Sequence, residues 1–330
     1  MKNEVIPLFL TIDDGFAKYT SVMIRSIIEN AAPQDHYKIW IIHRGLSDAN
    51  RQKLEGMATA NVEVETHFLK ADLSRIANRE ENYLRLDFFT LSIFYRLFLA
   101  DEFPEYDKAI YLDCDAVVPG NLADLYRIDL GNNLIGAAPD HSIWHVPGMI
   151  KYIEGALGIP YKTYINSGVL LINMKALREE HFTEHFLNVM NKHYFACIAP
   201  DQDYLNMMCR DRILYLDETW NAMPKDHQYD AEKLTAPQLV HYNLFYKPWH
   251  FDNIMYENYF WKYADATPYA QEIHAEKDNF TDEQRRGEVE KLDKLMERAA
   301  ALPATEGTFK KVIAQGERIK LSFSAWISWA

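Results

Sequence analysis

The first third of the chain alternates short apolar runs with amphipathic segments. Apolar runs rich in β-branched residues predict strands over residues 5–12 and 37–42, and alternation of apolar with polar residues predicts a third strand over residues 62–68. After the first run, isoleucine and methionine recur at helical spacing from Met23 to Ile28, and Ser47 is placed to cap a second helix over residues 48–60. Alternating strands and helices predict an α/β fold with a mostly parallel sheet covered by helices.

The next apolar run carries acidic residues at its end. After a predicted helix over residues 90–99, the strand pattern of residues 108–112 runs directly into Asp113, Cys114 and Asp115. Ligands of open α/β sheets bind at the carboxyl ends of the strands, so this position favours a functional role for the two carboxylates. The same apolar pattern predicts further strands over residues 134–138, 168–172, 213–216 and 239–241.

Two segments depart from this alternation. Residues 140–164 mix His, Trp, Pro, Gly and Tyr without periodicity, which predicts a long irregular insertion of the kind that forms lids or acceptor sites. Residues 281–301 are charged and helix-favouring, and proline and glycine then interrupt the helical pattern. We therefore predict a main domain over residues 1–275 and a small helical extension over residues 276–330.

The end of the chain combines positive charge with apolar side chains. Residues 309–330 contain four basic residues and one acidic residue, and they finish in a segment rich in Trp and Ile. This composition is typical of an interfacial helix on an anionic membrane. It fits equally well a C-terminal helix that docks its tryptophans on the main domain, so the pattern favours neither interpretation.

Composition narrows the class of protein. The chain carries 48 acidic and 35 basic residues, a formal charge of −13, and such a field repels the phosphates of nucleic acids. Its three cysteines, Cys114, Cys197 and Cys209, form no CxxC pair and predict neither a zinc site nor a disulfide framework. The apolar run at residues 5–12 is too short for a secretory signal, and no run approaches the ~18 residues of a membrane span. We therefore predict a cytoplasmic protein, either soluble or peripheral on the inner face of the cell membrane.

The two aspartates define a candidate metal site. Carboxylates one residue apart at a strand end can face one cation, and their hard oxygen atoms suit Mn²⁺ or Mg²⁺. An isolated Asp-x-Asp is more often a solvated turn, but the apolar strand before Asp113 and the Pro-Gly pair after Val118 favour a ligand role here. His241 alone is most simply a structural histidine, yet beside two carboxylates it would complete a typical Mn²⁺ set. Lys247 would supply the positive charge that a leaving diphosphate needs.

Four motifs follow one another along the chain. They are Ile-Tyr-Leu-Asp-Cys-Asp at residues 110–115, Tyr-Ile-Asn-Ser-Gly-Val-Leu-Leu-Ile-Asn at 164–173, Asp-Gln-Asp-Tyr-Leu-Asn at 201–206, and His-Tyr at 241–242 with Lys-Pro-Trp at 247–249. Together they resemble the successive signatures of the family 8 glycosyltransferases, which include bacterial lipopolysaccharide galactosyl- and glucosyltransferases and glycogenin. The resemblance covers residues 6–250 and leaves out the C-terminal segment.

The resemblance implies a GT-A fold, a UDP-hexose donor, Mn²⁺, and transfer with retention of configuration to a glycan, lipopolysaccharide or other envelope acceptor. It implies that Asp113, Asp115 and His241 bind the metal and that Lys247 contacts the β-phosphate. The donor-binding residues that it implies are Thr11, Asp13, Phe16, Arg96, Asp113, Cys114, Asp140, Asn166 and Ser167, the first three near the uridine. Gln202, beneath the anomeric carbon, and Asp201 would act in catalysis. Because glutamine is a poor nucleophile, we favour front-side attack by the acceptor hydroxyl.

Simpler roles and other classes of protein remain as alternatives. Asn166 would alternatively cap its turn, and Asp201 would cap the following helix. A nucleotidyltransferase shares the sheet and the carboxylate-bound metal, although it usually has a basic, glycine-rich loop where this chain has the acidic residues 13–14. A non-enzymatic module for sugars or lipid head groups would rest on the aromatic residues and the basic tail. Glucose and galactose remain alternatives for the donor sugar.

Two positions depart from the pattern of the family. The family usually has Asn at the position of Gly15 and Gly at the position of Leu244. A missing glycine removes a place where the backbone can closely approach a phosphate. We therefore expect an altered donor geometry near Leu244 but the same reaction, since the aspartates, the histidine and the lysine all remain.

Overall fold

A mixed sheet forms the centre of the protein in a computed structural model that describes residues 4–76, 91–225 and 233–321. The strands are β1 Val5–Thr11, β2 His36–His43, β3 Val62–Phe68, β4 Ala109–Leu112, β5 Ala116–Val117, β6 Ile135–Ala137, β7 Val169–Ile172, β8 Ile213–Tyr215 and β9 Val240–His241. Seven of them form one sheet in the order β3-β2-β1-β4-β7-β6-β8. β7 runs antiparallel to both β4 and β6, and the other neighbours are parallel. β5 and β9 form a separate antiparallel pair.

Helices cover both faces of this sheet. They are α1 Ala17–Asn30, α2 Asp48–Glu55, α3 Leu99–Glu102, α4 Leu122–Arg127, α5 Pro147–Tyr152, α6 Met174–Glu179, α7 Phe182–His193, α8 Pro200–Met208, α9 Glu257–Ala264, α10 Ala270–Asn279, α11 Asp282–Ala301 and α12 Phe309–Ala314. Successive side chains of a strand point to opposite faces, so Phe9 of β1 joins one hydrophobic cluster while Leu8 and Leu10 join the other. The sheet is therefore buried on both sides, as its near-continuous apolar strands require.

The predicted mixed, mostly parallel sheet is confirmed, and several local boundaries differ. Ser47 caps α2 through the backbone N–H of Asn50 as expected, but the helix ends at Glu55 rather than near residue 60. In place of a helix over residues 90–99 there is a 3₁₀ segment at Leu91–Leu97 followed by the short α3, and Thr90 lies outside the described residues. The predicted strand at 239–241 is present, but it pairs with β5 outside the main sheet.

The prediction of an irregular insertion over residues 140–164 is wrong, because most of this segment is helical. Pro147 begins α5, a π-helical turn over Ile153–Leu157 continues it, and Gly158, with φ of 78°, ends it. Other glycines that resemble helix breakers permit close packing instead. A Cβ atom on Gly148 would lie 2.8 Å from the Met296 carbonyl oxygen, and one on Gly155 would lie 2.8 Å from Pro303 Cβ.

The C-terminal segment packs on the rest of the protein. Thr281 and Gln284 form a capping box that begins α11, in agreement with the predicted helix over residues 281–301. Phe309 of α12 stacks on Phe195 with ring centroids 3.7 Å apart, and Lys320 forms an ion pair with Asp211. Docking of this kind is one of the two interpretations weighed for the tail. The Trp-rich end, residues 322–330, lies outside the described residues, so membrane contact stays a prediction.

The domain boundary also stays a prediction. The proposed division between residues 275 and 276 falls inside α10 (Ala270–Asn279). Among the described helices, none has the length and apolar character needed to cross a bilayer.

Candidate active site

A cleft of about 730 Å³ opens at the carboxyl end of β4. Eleven of the residues singled out in the sequence line it: Phe16, Arg96, Asp113, Asp115, Asp140, Asn166, Ser167, Asp201, Gln202, His241 and Lys247. They come from distant parts of the chain, and the sheet order brings them together. Ligand sites of α/β proteins occupy this end of the strands.

Strand pairing explains how His241 reaches the two aspartates. Asp113 follows β4 directly and donates its backbone N–H to the Gly168 carbonyl oxygen, at 2.8 Å. The pairing of β5 with β9 sets Ala116 opposite His241, which brings the imidazole beside Asp115. One ligand atom from each of Asp113, Asp115 and His241 lies within 4.8 Å of the others. Gly168 is required here, because a Cβ atom on it would lie 2.2 Å from His241 Cε1.

The charge around Asp115 suits a divalent cation. Its Oδ1 is buried and accepts no hydrogen bond from the described residues, although His241 Nε2 lies 3.1 Å away. Its Oδ2 accepts a hydrogen bond from Lys247 Nζ at 2.5 Å. Burial raises the pKa of Asp115, but the Lys247 ammonium and the His241 imidazole outweigh burial and hold this pKa well below its usual range. An ionised carboxylate with an unused buried oxygen is what a hard metal ion requires.

Arg96 occupies the centre of the buried charges. Its guanidinium donates to Asp113 Oδ1 at 2.7 Å and to the Ser167 carbonyl oxygen at 2.7 Å, and its Nε lies 3.2 Å from Asp201 Oδ2. Burial alone would lower the pKa of Arg96, but Asp113, Tyr111 and Asp201 raise it. Burial raises the pKa of Asp201, and Arg96 opposes that rise. Arg96 therefore fixes Asp113 and Asp201 relative to each other.

Asn221, which the sequence analysis missed, orients the candidate metal ligand His241. Its Nδ2 donates to Asn166 Oδ1 at 2.9 Å, so its own Oδ1 is the atom that faces His241 Nδ1, at 3.1 Å. The imidazole must then donate from Nδ1, which leaves Nε2 as the nitrogen that faces Asp113 and Asp115 and that would bind a cation. Nothing in the local sequence Trp-Asn-Ala distinguishes this asparagine from a surface residue; its burial, 1% exposed, does.

The same network continues to Gln202. Asn166 Nδ2 donates to Asp140 Oδ2 at 3.2 Å, and Gln202 Nε2 donates to that oxygen at 3.1 Å. Gln202 Oε1 accepts from the Ser167 backbone N–H at 2.9 Å, so both ends of the Gln202 amide are held. One chain of hydrogen bonds thus links His241, in the candidate metal site, to Gln202, which is expected to lie beneath the anomeric carbon.

The simpler roles proposed for two residues can now be judged. Asn166 Oδ1 does cap its turn, by accepting from the Gly168 N–H at 2.9 Å, and Asn166 also belongs to the network. Asp201 is not an N-cap, because α8 begins at Pro200 and the capping position is Ala199. Its neighbour Asp203, also missed, is fully buried, and burial raises its pKa to about 6 against hydrogen bonds from Tyr164 and Tyr152.

Three of the predicted donor-binding side chains, among the described residues, do not line the cleft. Thr11 Oγ1 is 2.8 Å from Tyr111 Oη, and Asp13 caps a 3₁₀ turn through the Phe16 N–H. Cys114 is buried with its Sγ 3.8 Å from the Thr11 carbonyl oxygen, and burial raises the pKa of its thiol. Cys114 therefore reaches the cleft by its backbone at most.

Leu244 keeps the backbone conformation that a glycine would adopt easily. Its φ is 58°, in the left-handed region, and its side chain is 44% exposed at the mouth of the cleft. A leucine in that region is strained by roughly 1–3 kcal/mol. The backbone at Leu244 therefore has a conformation that would also suit the glycine usual in the family.

Comparison with solved structures defines the type of fold. The galactosyltransferase LgtC, in complex with donor and acceptor sugar analogs, matches with a TM-score of 0.64 and 24% identity, over 86% of this chain and 100% of LgtC. The bifunctional glycosyltransferase WbbM, in its apo form, matches with a TM-score of 0.70 and 23% identity, over 83% of this chain and 52% of WbbM. These likenesses establish the GT-A glycosyltransferase fold.

Sequence comparison identifies the family. The model described as Glycosyl transferase family 8 matches residues 7–253, so the chain belongs to that family. A putative glycosyltransferase of Haemophilus influenzae is 26% identical over 231 residues, 70% of this chain and 67% of the relative. The lipopolysaccharide 1,2-glucosyltransferase of Escherichia coli is 23% identical over 258 residues, 75% of this chain and 74% of that enzyme. The predicted family and fold are confirmed, and the protein is a glycosyltransferase.

Proposed function

We propose that this glycosyltransferase transfers glucose or galactose from a UDP-hexose to a glycan, lipopolysaccharide or other envelope acceptor, with retention of configuration and with a bound Mn²⁺ or Mg²⁺. One observation carries the proposal. The buried, unused Oδ1 of Asp115 lies within a cluster of two carboxylates and an imidazole, and this cluster is joined by hydrogen bonds to Gln202. The similarity to the galactosyltransferase LgtC and to the 1,2-glucosyltransferase of E. coli supports the choice of sugars.

The leaving diphosphate would be held by this chain's positive and metal-binding groups. Asp113, Asp115 and His241 are the residues that would hold the cation, and a bound cation would neutralise negative charge on the diphosphate. Lys247 now neutralises Asp115 and lies in the same cleft, so it is within reach of the departing β-phosphate. The two terminal nitrogens of Arg96 are engaged with Asp113 and Ser167 and its Nε lies 3.2 Å from Asp201, so we assign to Arg96 the positioning of these residues.

Gln202 would support the sugar while the bond is exchanged. Its amide is fixed by Ser167 N–H and Asp140, which suits stabilisation of a positively charged sugar ring and does not suit nucleophilic attack. In front-side transfer the bond from the anomeric carbon to the phosphate oxygen breaks as the bond to the acceptor oxygen forms. The acceptor hydroxyl gives its proton to the leaving phosphate oxygen, so UDP and the glycoside are the products. Asp201, paired with Arg96, would orient the hexose.

Calorimetry of UDP binding tests the proposal. We expect tight binding with Mn²⁺ and a loss of affinity after exhaustive chelation, together with release of UDP from UDP-glucose or UDP-galactose. Asp115→Asn should remove the metal dependence, while Asp48→Asn, a matched change of an exposed carboxylate on α2, should not. Equal affinity for UDP with and without a divalent cation would overturn the metal model. Turnover of neither sugar nucleotide would overturn the choice of donor.

A further inference from the structure

The cleft has an apolar outer wall that the proposed chemistry does not use. Its inner end is polar, from Asp113 to Gln202, whereas the outer wall combines the acidic Asp293 with aliphatic side chains. Those side chains are Val146, Met149, Val289, Leu292 and Met296. Val289, Leu292 and Met296 belong to α11, in the predicted C-terminal extension beyond the residues that the family model covers. The part of the wall that α11 supplies therefore lies outside the region that matches the family, whereas Val146 and Met149 lie inside it.

The spacing along α11 directs these side chains into the cleft. Val289, Leu292 and Met296 are three and four residues apart, so they share one face of the helix. The neighbouring Leu295 and Ala299 are fully buried in the core and anchor the helix. The positions on either side of this apolar face are mostly charged, as on an ordinary solvated helix.

Close packing holds the wall in place against the insertion. α11 crosses α5 at Gly148, where the Met296 carbonyl oxygen leaves no space for a Cβ atom. Val146 precedes α5 and Met149 lies within it, so the two helices present their aliphatic side chains to the same space. Because this crossing is tight, the wall is a built surface of the cleft rather than the free side of a loosely attached helix.

Aliphatic side chains favour apolar groups in the ligands that they bind. They offer no hydrogen bonds to sugar hydroxyl groups, and their contact with water costs free energy in proportion to the exposed apolar area. Val289 is half-buried and exposed to the cleft, and Leu292 and Met296 are half-buried beside it. The occupant that gains most there is an apolar group attached to a sugar whose reacting hydroxyl lies at the polar inner end.

We propose that the wall formed by Val146, Met149, Val289, Leu292 and Met296 binds an apolar aglycone of the acceptor, so that the natural acceptor is a sugar linked to a hydrophobic group. The inference rests on the proposed function, because it takes the polar end of the cleft as the donor site. It assigns to α11 a role in choosing the acceptor. Continuity of the wall with the candidate active site is the reason for choosing this occupant.

Binding of alkyl glycosides tests the proposal directly. The protein, loaded with Mn²⁺ and UDP, is titrated in a calorimeter with methyl, butyl, hexyl and octyl β-glucosides and β-galactosides below their micellar concentrations. We expect affinity to rise with chain length, by up to about fourfold for each methylene that becomes buried, and then to level off when the wall is covered. The effect should be present with both sugars, because it comes from the aglycone.

Two variants with matched substitutions distinguish binding at the wall from non-specific binding of alkyl chains. Val289→Thr keeps the shape of the side chain but replaces a methyl group with a hydroxyl, and it should reduce the gain in affinity from methyl to octyl several-fold. Val5→Thr makes the same change at an exposed residue of β1 that does not line the cleft, and it should leave this gain unchanged. Thermal unfolding of both variants checks that the fold is retained.

The outcomes separate this inference from the proposed function. If affinity does not depend on chain length while UDP binding keeps its metal dependence, the wall is covered by other parts of the protein and only this inference fails. If the chain-length effect is equal in the wild type and in Val289→Thr, alkyl chains bind elsewhere and the inference also fails. Loss of metal-dependent UDP binding in the wild type would refute the proposed function instead.

Discussion

Replacing Asn221 with leucine is expected to weaken binding of Mn²⁺ in the presence of UDP about 10- to 100-fold, without altering any candidate metal ligand. Asn221 Oδ1 accepts the Nδ1 proton of His241 at 3.1 Å, and both residues are almost fully buried. Leucine removes that acceptor, so the imidazole loses both its orientation and the tautomer that leaves Nε2 free to bind a cation. An effect of this size corresponds to roughly 1.4–2.8 kcal/mol of binding free energy.

The stability of the fold should fall as well, and a control is needed to separate the two effects. A buried N–H group without a partner costs about 1–3 kcal/mol, which the variant would show in the free energy of unfolding. Asn30→Leu is the matched control, because it removes the side-chain hydrogen bonds to Ser26, Val118 and Tyr263, none of which lines the cleft. It should lose stability and keep its affinity for Mn²⁺.

The assay is titration of Mn²⁺ into protein with UDP, followed by electron paramagnetic resonance of the free ion. Asn221→Asp, which keeps an acceptor for the Nδ1 proton, should retain more of the affinity than Asn221→Leu. Wild-type affinity in Asn221→Leu would refute the reasoning, because it would mean that the orientation of His241 does not depend on this asparagine. Equal losses in Asn221→Leu and Asn30→Leu would instead attribute the effect to reduced stability.

Two further predictions concern the turn at Leu244 and the pH dependence of stability. Leu244→Gly should raise the free energy of unfolding by roughly 1 kcal/mol, because a φ of 58° strains a leucine and not a glycine. Urea denaturation measures this gain, and no gain would mean that the leucine is not strained. Burial raises the pKa of Asp203 from 3.8 to about 6. Between these two values the native state holds a proton that the unfolded state has lost. The stabilisation that this proton supplies is therefore lost as the pH rises through 6. In unfolding measurements at pH 5 and pH 7, the wild type should therefore lose more stability on going to pH 7 than Asp203→Asn does, and equal changes would show that Asp203 does not titrate in this range.

Much of the fold could be predicted because local patterns of apolar and polar residues indicate its strands and helices. The strands β1, β2 and β4 appear as largely apolar runs, since central parallel strands are covered on both faces, whereas the edge strand β3 appears as an alternation of apolar and polar residues. The position of Asp113 and Asp115 at the end of β4 also follows from the sequence alone, because a strand direction fixes which end carries the residues that come next. The helix over residues 281–301 could likewise be predicted from its charged, helix-favouring composition.

Only the tertiary structure decided which distant residues meet. The contact of His241 with Asp115 depends on pairing between β5 and β9, and the role of Asn221 depends on a buried network; neither has a local signature. The insertion was predicted to be irregular because residues 140–164 show no periodicity, whereas in the structure Gly148 and Gly155 admit Met296 and Pro303 from segments far along the chain. The local sequence determines backbone preferences and which face of a helix or strand is buried. A contact between separate segments depends instead on the path of the whole chain, and the cleft is made of such contacts.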